Sequence, residues 1–103
     1  MKTMLYIDTS ERDKTVVLLK SKGHTVKLVE KLDYGSSQTL LPQIARMLKK
    51  NKLLPGDISE IRVNTGPGSY TGLRVGVAVA NTLGWLLKIS VNGKRNIAQP
   101  VYQ

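Results

Sequence analysis

Asn64-Thr65-Gly66-Pro67-Gly68-Ser69-Tyr70-Thr71-Gly72-Leu73-Arg74 is the stretch that decides the fold of this chain. It lies between an alternating apolar run that ends at Val63 and a long apolar segment that begins at Leu73. Its glycines permit positive φ or a close backbone approach, and short hydroxyl residues such as Ser69 and Thr71 commonly cap helix N-termini. The stretch therefore predicts a strand, a glycine-rich turn and a helix.

The glycine loop itself has two local interpretations. A helix N-terminus with unpaired backbone N–H groups is a natural seat for an anion, so the loop fits either a tight structural turn or a phosphate cradle. No Gly-Lys-Ser/Thr follows, which excludes a Walker A loop, and the spacing of Gly66, Gly68 and Gly72 misses the dinucleotide fingerprint by one position. The residues alone favour the structural turn.

Composition narrows the class of protein. A chain of 103 residues predicts one small domain, and the absence of cysteine excludes disulfides, thiolate metal sites and cysteine nucleophiles. Sixteen Lys plus Arg against seven Asp plus Glu give a net charge of +9, which fits either solvated lysines on a small domain, the favoured interpretation, or attraction of RNA or an acidic partner. With four tyrosines, one tryptophan and no phenylalanine, the sequence shows no platform for base stacking. Since no stretch resembles a signal peptide or a membrane span, we expect a cytoplasmic protein.

The segment before the glycine loop begins with a predicted three-stranded meander. Met4-Leu5-Tyr6-Ile7 is a continuous apolar run, typical of a strand buried on both faces, and it ends at Asp8-Thr9-Ser10. The runs 15–20 and 24–30 are rich in branched residues and are joined by a turn that contains Gly23. This arrangement predicts an antiparallel hairpin next to the first strand.

Residues 38–51 have helical periodicity. At about 100° per residue, the apolar side chains fall within an arc of about 160°, and polar and basic side chains occupy the other side. Pro42 is tolerated in the first turn, and Ser36 or Ser37 is the expected N-cap. The predicted apolar arc comprises Leu40, Leu41, Ile44, Ala45, Met47 and Leu48, and the predicted outer side comprises Gln43, Arg46, Lys49 and Lys50.

The apolar segment 72–88 alternates as a strand would, but it is too long without a turn signal for an ordinary strand and is predicted as a helix. A helix places small residues at every fourth position, as a smooth ridge that lets another backbone approach closely. The ridge fits docking on the domain's own sheet or on a partner, and large apolar residues such as Trp85 indicate that both sides of the helix are covered. The ridge consists of Gly72, Gly76, Ala80 and Gly84.

The remaining segments complete the element order. Residues 58–63 predict a fourth strand before the loop, 89–91 a short fifth strand, and 92–103 a tail. His24, the only histidine, lies at the edge of the predicted hairpin, so we expect a surface position and assign no metal. No His-x-x-x-His pair and no nucleophile beside a base are present, so no catalytic residue is assigned.

The order β-β-β-α-β-α-β, with a polar end on the first strand, is that of a ribonuclease H-like or actin-like (ASKHA) half-domain, an α/β fold with a mixed five-stranded sheet and two main helices. Three segments resemble the TsaB (YeaZ) family, accessory proteins of bacterial tRNA N6-threonylcarbamoyladenosine (t6A) synthesis. These are Tyr6-Ile7-Asp8-Thr9-Ser10, Gln38-Thr39-Leu40-Leu41-Pro42 and, most specifically, Gly66-Pro67-Gly68-Ser69-Tyr70-Thr71-Gly72-Leu73-Arg74. The resemblance covers only the N-terminal lobe of the family, so we expect such a lobe over 1–91 and a tail over 92–103.

The resemblance implies a scaffold rather than an enzyme. It implies pairing with the paralogue TsaD, which carries the metal and modifies adenosine 37 of tRNA, and the ATPase TsaE joins the two. ATP and a metal ion are implied for that complex, tRNA is an indirect partner, and no cofactor is assigned to this chain. Pairing would use the helices 38–51 and 72–88, and a homodimer would use the same helices. The expected interface residues are Leu41, Ala45, Leu48, Gly76, Ala80 and Gly84.

The first strand carries a second implication of the resemblance. Asp8 resembles the carboxylate that coordinates a nucleotide's metal in actin-like enzymes, with Thr9 and Ser10 near the phosphates. A half-domain supplies only one wall of such a cleft, so a structural role of Asp8 is favoured. Two alternatives to a scaffold stay open: a basic RNA-binding module with salt-sensitive affinity, and a small nucleotide- or anion-binding domain that its ligand stabilises.

Overall fold

The computed structural model describes residues 2–31 and 40–94, which form a five-stranded sheet and two helices in the predicted order. The second helix begins at Tyr70, two residues earlier than predicted, because Ser69 caps it. The predicted N-cap of the first helix, Ser36 or Ser37, lies outside the described residues. The elements are β1 (Thr3–Asp8), β2 (Lys14–Ser21), β3 (His24–Lys31), α1 (Leu40–Lys50), a 3-10 turn (Pro55–Asp57), β4 (Glu60–Val63), α2 (Tyr70–Leu87) and β5 (Ser90–Val91).

The sheet is mixed, and its strands lie side by side in the order β3-β2-β1-β4-β5. The meander β1-β2-β3 is antiparallel, whereas β4 and β5 run parallel to β1 because a helix precedes each of them. Leu5 on the central strand is paired with Leu19 of β2 and with Ile61 of β4. The predicted fold class is confirmed.

Both helices pack on one face of this sheet. Helix α1 contacts β2 and β3, α2 contacts β1, β4 and β5, and the two helices contact each other. The core lies between the helices and the alternate strand side chains that point toward them. These buried strand side chains are Leu5, Ile7, Val17, Leu19, Ile61, Val63 and Val91.

The first strand was predicted to be buried on both faces, and the described residues cover only one. Leu5 and Ile7 are fully buried under the helices, whereas Met4 and Tyr6 point to the opposite face and are half-buried. The difference arises because the described part of the chain contains no element on that second face. The apolar run therefore has one face without a covering layer.

Helix α1 is rotated relative to the predicted arc. Gln43, predicted to lie on the outer side, is completely buried, whereas Leu41 and Ala45 of the predicted apolar arc are exposed. Hydrogen bonds of the Gln43 side chain explain this rotation. Gln43 Oε1 accepts a hydrogen bond from the Thr15 hydroxyl at 2.5 Å, and its Nε2 donates to the Leu28 carbonyl oxygen at 2.9 Å. A buried amide with such partners loses little by leaving water.

The sheet continues past the predicted start of the tail. The backbone N–H of Asn92 donates to the Ile61 carbonyl oxygen at 2.8 Å, and the Asn92 side chain bonds both the N–H and the carbonyl of Val63. Asn92 and Gly93, with φ of +52° and +78°, then turn the chain so that Lys94 pairs with Val91. Residues 92–94 therefore contact the sheet through a turn at Asn92 and Gly93 and a single bridge at Lys94, and 95–103 lie outside the described residues.

Candidate functional site

The glycine loop packs on the C-terminal end of β1. The backbone N–H of Ser69 donates to the Ser10 carbonyl oxygen at 2.7 Å, and a Cβ at Gly68 would lie 2.7 Å from Ser10 Cβ. Gly66 has φ of +124°, a conformation that side chains with a Cβ rarely adopt, and it precedes a cis peptide bond to Pro67. The loop is thus a structural turn held against the first strand.

The same contacts set the start of α2. Of the two hydroxyl residues Ser69 and Thr71, Ser69 is the N-cap, and its Oγ accepts a hydrogen bond from the Gly72 N–H at 3.3 Å. The buried Thr9 hydroxyl donates to the Gly72 carbonyl oxygen at 2.5 Å, and a Cβ at Gly72 would overlap the Thr9 carbonyl oxygen. The end of β1 therefore fixes the position of the first turn of α2.

Asp8 joins the ends of the two central strands. Its Oδ1 accepts hydrogen bonds from the Ser10 N–H at 2.9 Å, from the Ser10 hydroxyl at 2.6 Å and from Asn64 Nδ2 at 3.2 Å. These contacts are the structural hydrogen bonding that the sequence favours for Asp8. The nucleotide contact expected for Asp8, Thr9 and Ser10 stays a prediction, and both hydroxyl protons are already donated within the chain.

Tyr6 lies on the uncovered sheet face, on the same side of β1 as Asp8. Burial raises the pKa of the Tyr6 phenol above its ordinary value of 10.0, and the negative charge of Asp8 raises it further. Both causes disfavour the phenolate. Tyr6 is therefore neutral throughout the physiological range.

The small-residue ridge of α2 faces the chain's own sheet. A Cβ at Gly76 would overlap the Thr9 side chain, a Cβ at Gly84 would lie 2.5 Å from Val91 Cγ2, and Ala80 between them is fully buried. These three residues therefore pack against the chain's own sheet, and their expected contact with a partner stays a prediction. Leu48, the fourth buried member of the expected interface, belongs to the core.

The outer side of the helices carries large apolar groups that the sequence interpretation placed under cover. Trp85 is 79% exposed, Leu86 60% and Leu41 55%. At about 100° per residue Trp85 lies about 140° from Ala80, and this angle is the signal that would have placed it on the outer side. We call Leu41, Ala45, Trp85 and Leu86 the outer helix surface; its first two members were expected at an interface.

At the start of α2, Arg74 lies over the ring of Tyr70, with its guanidinium carbon 5.4 Å from the ring centroid. A shallow depression of about 340 Å³ beside it is lined by Thr71, Arg74, Val75 and Ala78.

His24 is exposed at the start of β3, as predicted. In the described ranges, the structure contains no group of three or more His, Asp or Glu side chains placed to hold a metal ion. None of the helices described has the length and apolar character needed to cross a membrane.

Known families and proteins share this arrangement. The family model described as "TsaD: tRNA N6-adenosine threonylcarbamoyltransferase" matches residues 30–96. Over 90 residues the chain is 37% identical to the tRNA threonylcarbamoyladenosine biosynthesis protein TsaB of Bacillus subtilis, an alignment that covers 87% of this chain and 39% of that protein. The chain therefore spans about two fifths of the length of this relative.

Solved structures show the same fold. YeaZ from Pseudomonas aeruginosa superimposes with a TM-score of 0.82 at 28% identity, over 88% of this chain and 42% of YeaZ. A second structure from that organism, described as an uncharacterized protein with similarity to peptidase YEAZ, gives the same values. These similarities concern one part of longer proteins.

Proposed function

The chain belongs to the TsaB (YeaZ) family, and we propose that it is a non-catalytic subunit that supports TsaD in the t6A modification of tRNA. In this proposal the described residues form the N-terminal lobe of a TsaB-type protein. The relatives' names support the process, and for a protein that acts in tRNA modification we expect the cytoplasm. TsaE would join the pair, and tRNA would contact the assembly mainly through TsaD.

The observation that supports the scaffold is the outer helix surface. Trp85, Leu86 and Leu41 expose most of their apolar area on helices whose opposite sides already form the core. Burying one such side chain contributes about 1.5–3 kcal/mol, which favours association over exposure to water. We therefore assign the TsaD contact to this surface, and a homodimer of the chain alone to the same surface.

The buried members of the expected interface have an indirect role in this proposal. Gly76 and Gly84 let α2 lie close to β1 and β5, because any Cβ there would meet Thr9 or Val91. These two glycines set the distance between α2 and the sheet, and this distance in turn sets the position of Trp85. Partner contact itself would fall to the exposed residues.

Catalysis is assigned to TsaD rather than to this chain. The polar side chains at the end of β1 are engaged with one another and with α2, as the hydrogen bonds of Asp8, Ser10 and Thr9 show. Their arrangement supports a structural centre at the point where a catalytic one was considered. No cofactor is assigned to this chain.

A reconstitution experiment tests the function. TsaD and TsaE from the same source are incubated with tRNA, ATP and a donor of the threonylcarbamoyl group, with and without this chain. We expect t6A to accumulate several-fold faster when the chain is present, and no t6A from the chain without TsaD. An unchanged rate would contradict the proposal, and so would t6A formed in the absence of TsaD. Casein hydrolysis by the purified chain would support a peptidase instead.

A further inference from the structure

Asn92 and Gly93 form the turn that follows β5. Two backbone hydrogen bonds close this turn, from the Lys94 N–H to the Val91 carbonyl oxygen at 3.0 Å and from the Val91 N–H to the Lys94 carbonyl oxygen at 2.8 Å. Both central residues have positive φ, +52° at Asn92 and +78° at Gly93. A two-residue turn with this geometry is type I′, for which Asn-Gly is a preferred sequence. The sequence and the local conformation therefore agree at this turn.

The same two residues are chemically labile. Asparagine is among the thermolabile residues, because the nitrogen of the next peptide bond can attack its side-chain carbonyl carbon. A following glycine makes this attack easiest, since it has no Cβ to crowd its nitrogen. Asn92 is the only asparagine in the sequence that precedes a glycine. Residues 92–93 are therefore the place in this chain where the reaction is expected first.

In the folded chain the Asn92 side chain is held away from this reaction. Its Oδ1 accepts a hydrogen bond from the Val63 N–H at 2.8 Å, and its Nδ2 donates to the Val63 carbonyl oxygen at 3.0 Å. In a type I′ turn, ψ of the first central residue is about +30°, which directs the Gly93 nitrogen away from the Asn92 side chain. Attack therefore requires the turn to open and the contacts with Val63 to break.

We propose that Asn92 is a site of spontaneous deamidation, that opening of the turn at 92–93 governs its rate, and that the product weakens the contact of this turn with β4. In the open turn, the Gly93 backbone nitrogen loses its proton and bonds to Asn92 Cγ, while the bond from Cγ to the side-chain nitrogen breaks and ammonia leaves. Water then adds to either carbonyl of the resulting succinimide and gives aspartate or isoaspartate. Water is the only reactant that the chain itself does not supply.

Either product disturbs the contact with Val63. Aspartate lacks the N–H that donates to the Val63 carbonyl oxygen and places a negative charge beside it, and isoaspartate adds a carbon atom to the backbone of the turn. The adjacent Val91 lies close under α2, because a Cβ at Gly84 would lie 2.5 Å from Val91 Cγ2. Deamidation is therefore expected to loosen β5 from both β4 and α2. This inference does not depend on the proposed function.

The rate of the reaction is measured on the full chain in mildly alkaline buffer, with and without denaturing urea. Trypsin cleaves after Lys88 and Lys94, so Asn92 is recovered in the peptide 89–94, which contains no other amide side chain. Mass spectrometry follows the conversion of this amide to an acid, and chromatography separates the two products. A sample digested without incubation gives the background. Conversion is expected to be about tenfold or more faster in urea than in the folded protein.

Gly93→Asp is the matched control. Aspartate is among the few residues that adopt positive φ, and a Cβ at Gly93 would meet only Arg62 Nη2, at an ordinary contact distance of 3.9 Å. The variant therefore keeps the turn, while its side chain crowds the nitrogen that attacks. In urea it is expected to convert Asn92 several-fold more slowly than the parent.

The effect of the product is measured after conversion in urea and removal of the urea. The converted parent is expected to unfold at a lower urea concentration than fresh parent, and its β5 amides are expected to exchange with solvent faster. Gly93→Asp that has passed through the same incubation is expected to unfold at the same urea concentration as its own fresh sample.

Each part of the proposal has a result that would overturn it. An amide at Asn92 that persists in urea would show that it is not a modification site. Equal rates in urea and in the folded protein would show that the turn does not govern the reaction. Converted parent with the stability of fresh parent, or incubated Gly93→Asp that loses as much stability as the parent, would contradict the effect assigned to the product.

Discussion

Thr9 and Gly72 are locked together at the junction of β1 and α2: the Thr9 hydroxyl donates to the Gly72 carbonyl oxygen at 2.5 Å, and the Thr9 carbonyl oxygen fills the space that a Cβ at Gly72 would need. One turn further, the Thr9 side chain also fills the space beside Gly76. A single buried threonine thus sets how closely the helix approaches the central strand. This contact explains why a helix of this length tolerates glycines in its interior.

Gly76→Ala is therefore expected to destabilise the protein by about 1–3 kcal/mol, since the new Cβ overlaps the Thr9 hydroxyl in a packed site. Helix propensity alone predicts the opposite, a gain of about 1 kcal/mol. Gly56→Ala, where nothing lies within 4 Å of the new Cβ, is the control and should stay within about 0.5 kcal/mol of the parent. Urea denaturation measures both, and a stabilised Gly76→Ala protein would refute the close packing.

The buried amide of α1 gives a second prediction. Gln43→Leu should cost about 1–3 kcal/mol, because the Thr15 hydroxyl and the Leu28 carbonyl oxygen lose their partner. Adding Thr15→Val removes the Thr15 hydroxyl, one of the groups that lose their partner, and should restore part of the loss. Denaturation of the single and double variants measures the coupling between the two residues. Additive losses would show that the amide and the hydroxyl do not interact.

The cap of α2 distinguishes two neighbouring hydroxyl residues. Ser69→Ala should lower the free energy of unfolding by about 1 kcal/mol, because Ser69 Oγ accepts the Gly72 N–H. Thr71→Ala, one residue inside the helix and exposed, should be neutral or slightly stabilising, since alanine has the higher helix propensity. Thermal unfolding of the two variants compares them directly. A larger loss for Thr71→Ala would place the cap elsewhere.

The raised pKa of the Tyr6 phenol predicts a loss of folding stability at alkaline pH. The folded protein holds its phenol with a pKa raised above the ordinary 10.0, so between that value and the folded pKa the native state binds more protons than the unfolded state. This contribution is complete below pH 10 and is lost as the pH rises through the folded pKa. Tyr6→Phe should therefore flatten the fall in stability above about pH 10.

Ultraviolet titration of the phenolates provides the direct check. The titration of the parent protein should contain a component that ionises above the ordinary tyrosine pKa of 10.0, and this late component should be missing in Tyr6→Phe. If the late component remained in the variant, another tyrosine would carry the raised pKa.

Much of the fold is predictable from local pattern. The loop from Gly66 to Gly72 was interpretable because each glycine has a physical requirement, a positive φ at Gly66 and a close approach to β1 at Gly68 and Gly72. Alternation and turn residues gave the five strands, and the length of the segment 72–88 gave the second helix. These features are determined by residues that are close to one another in the sequence.

What the sequence could not place depends on contacts between distant segments. Gln43 has a polar side chain, and its burial is favourable because it forms hydrogen bonds with Thr15 of β2 and with the Leu28 carbonyl of β3. Asn92 was assigned to a tail, yet its side chain extends the pairing along Val63. Whether the glycine ridge faced the sheet or a partner was left open by its spacing alone.

The exposure of the large apolar residues was also not predicted from the sequence. Trp85 was expected under a cover because large apolar groups normally are, and the angle that separates it from Ala80 places it outside. Its exposure on a helix that already buries its other side is what directs attention to a partner. We therefore propose the outer helix surface, rather than the ridge, as the interface.

The mass of the chain in solution, measured by light scattering alone and then with TsaD from the same source, tests the scaffold most directly. We predict a mixed complex that Trp85→Gln with Leu86→Gln abolishes, while Leu54→Gln leaves it intact, because Leu54 is 72% exposed but lies outside the helices. Substitutions at Gly76 or Ala80 would disturb the packing on the sheet and are unsuitable for this purpose. A chain that forms no complex with TsaD, or a complex that Leu54→Gln weakens as much as the paired variant, would contradict the account.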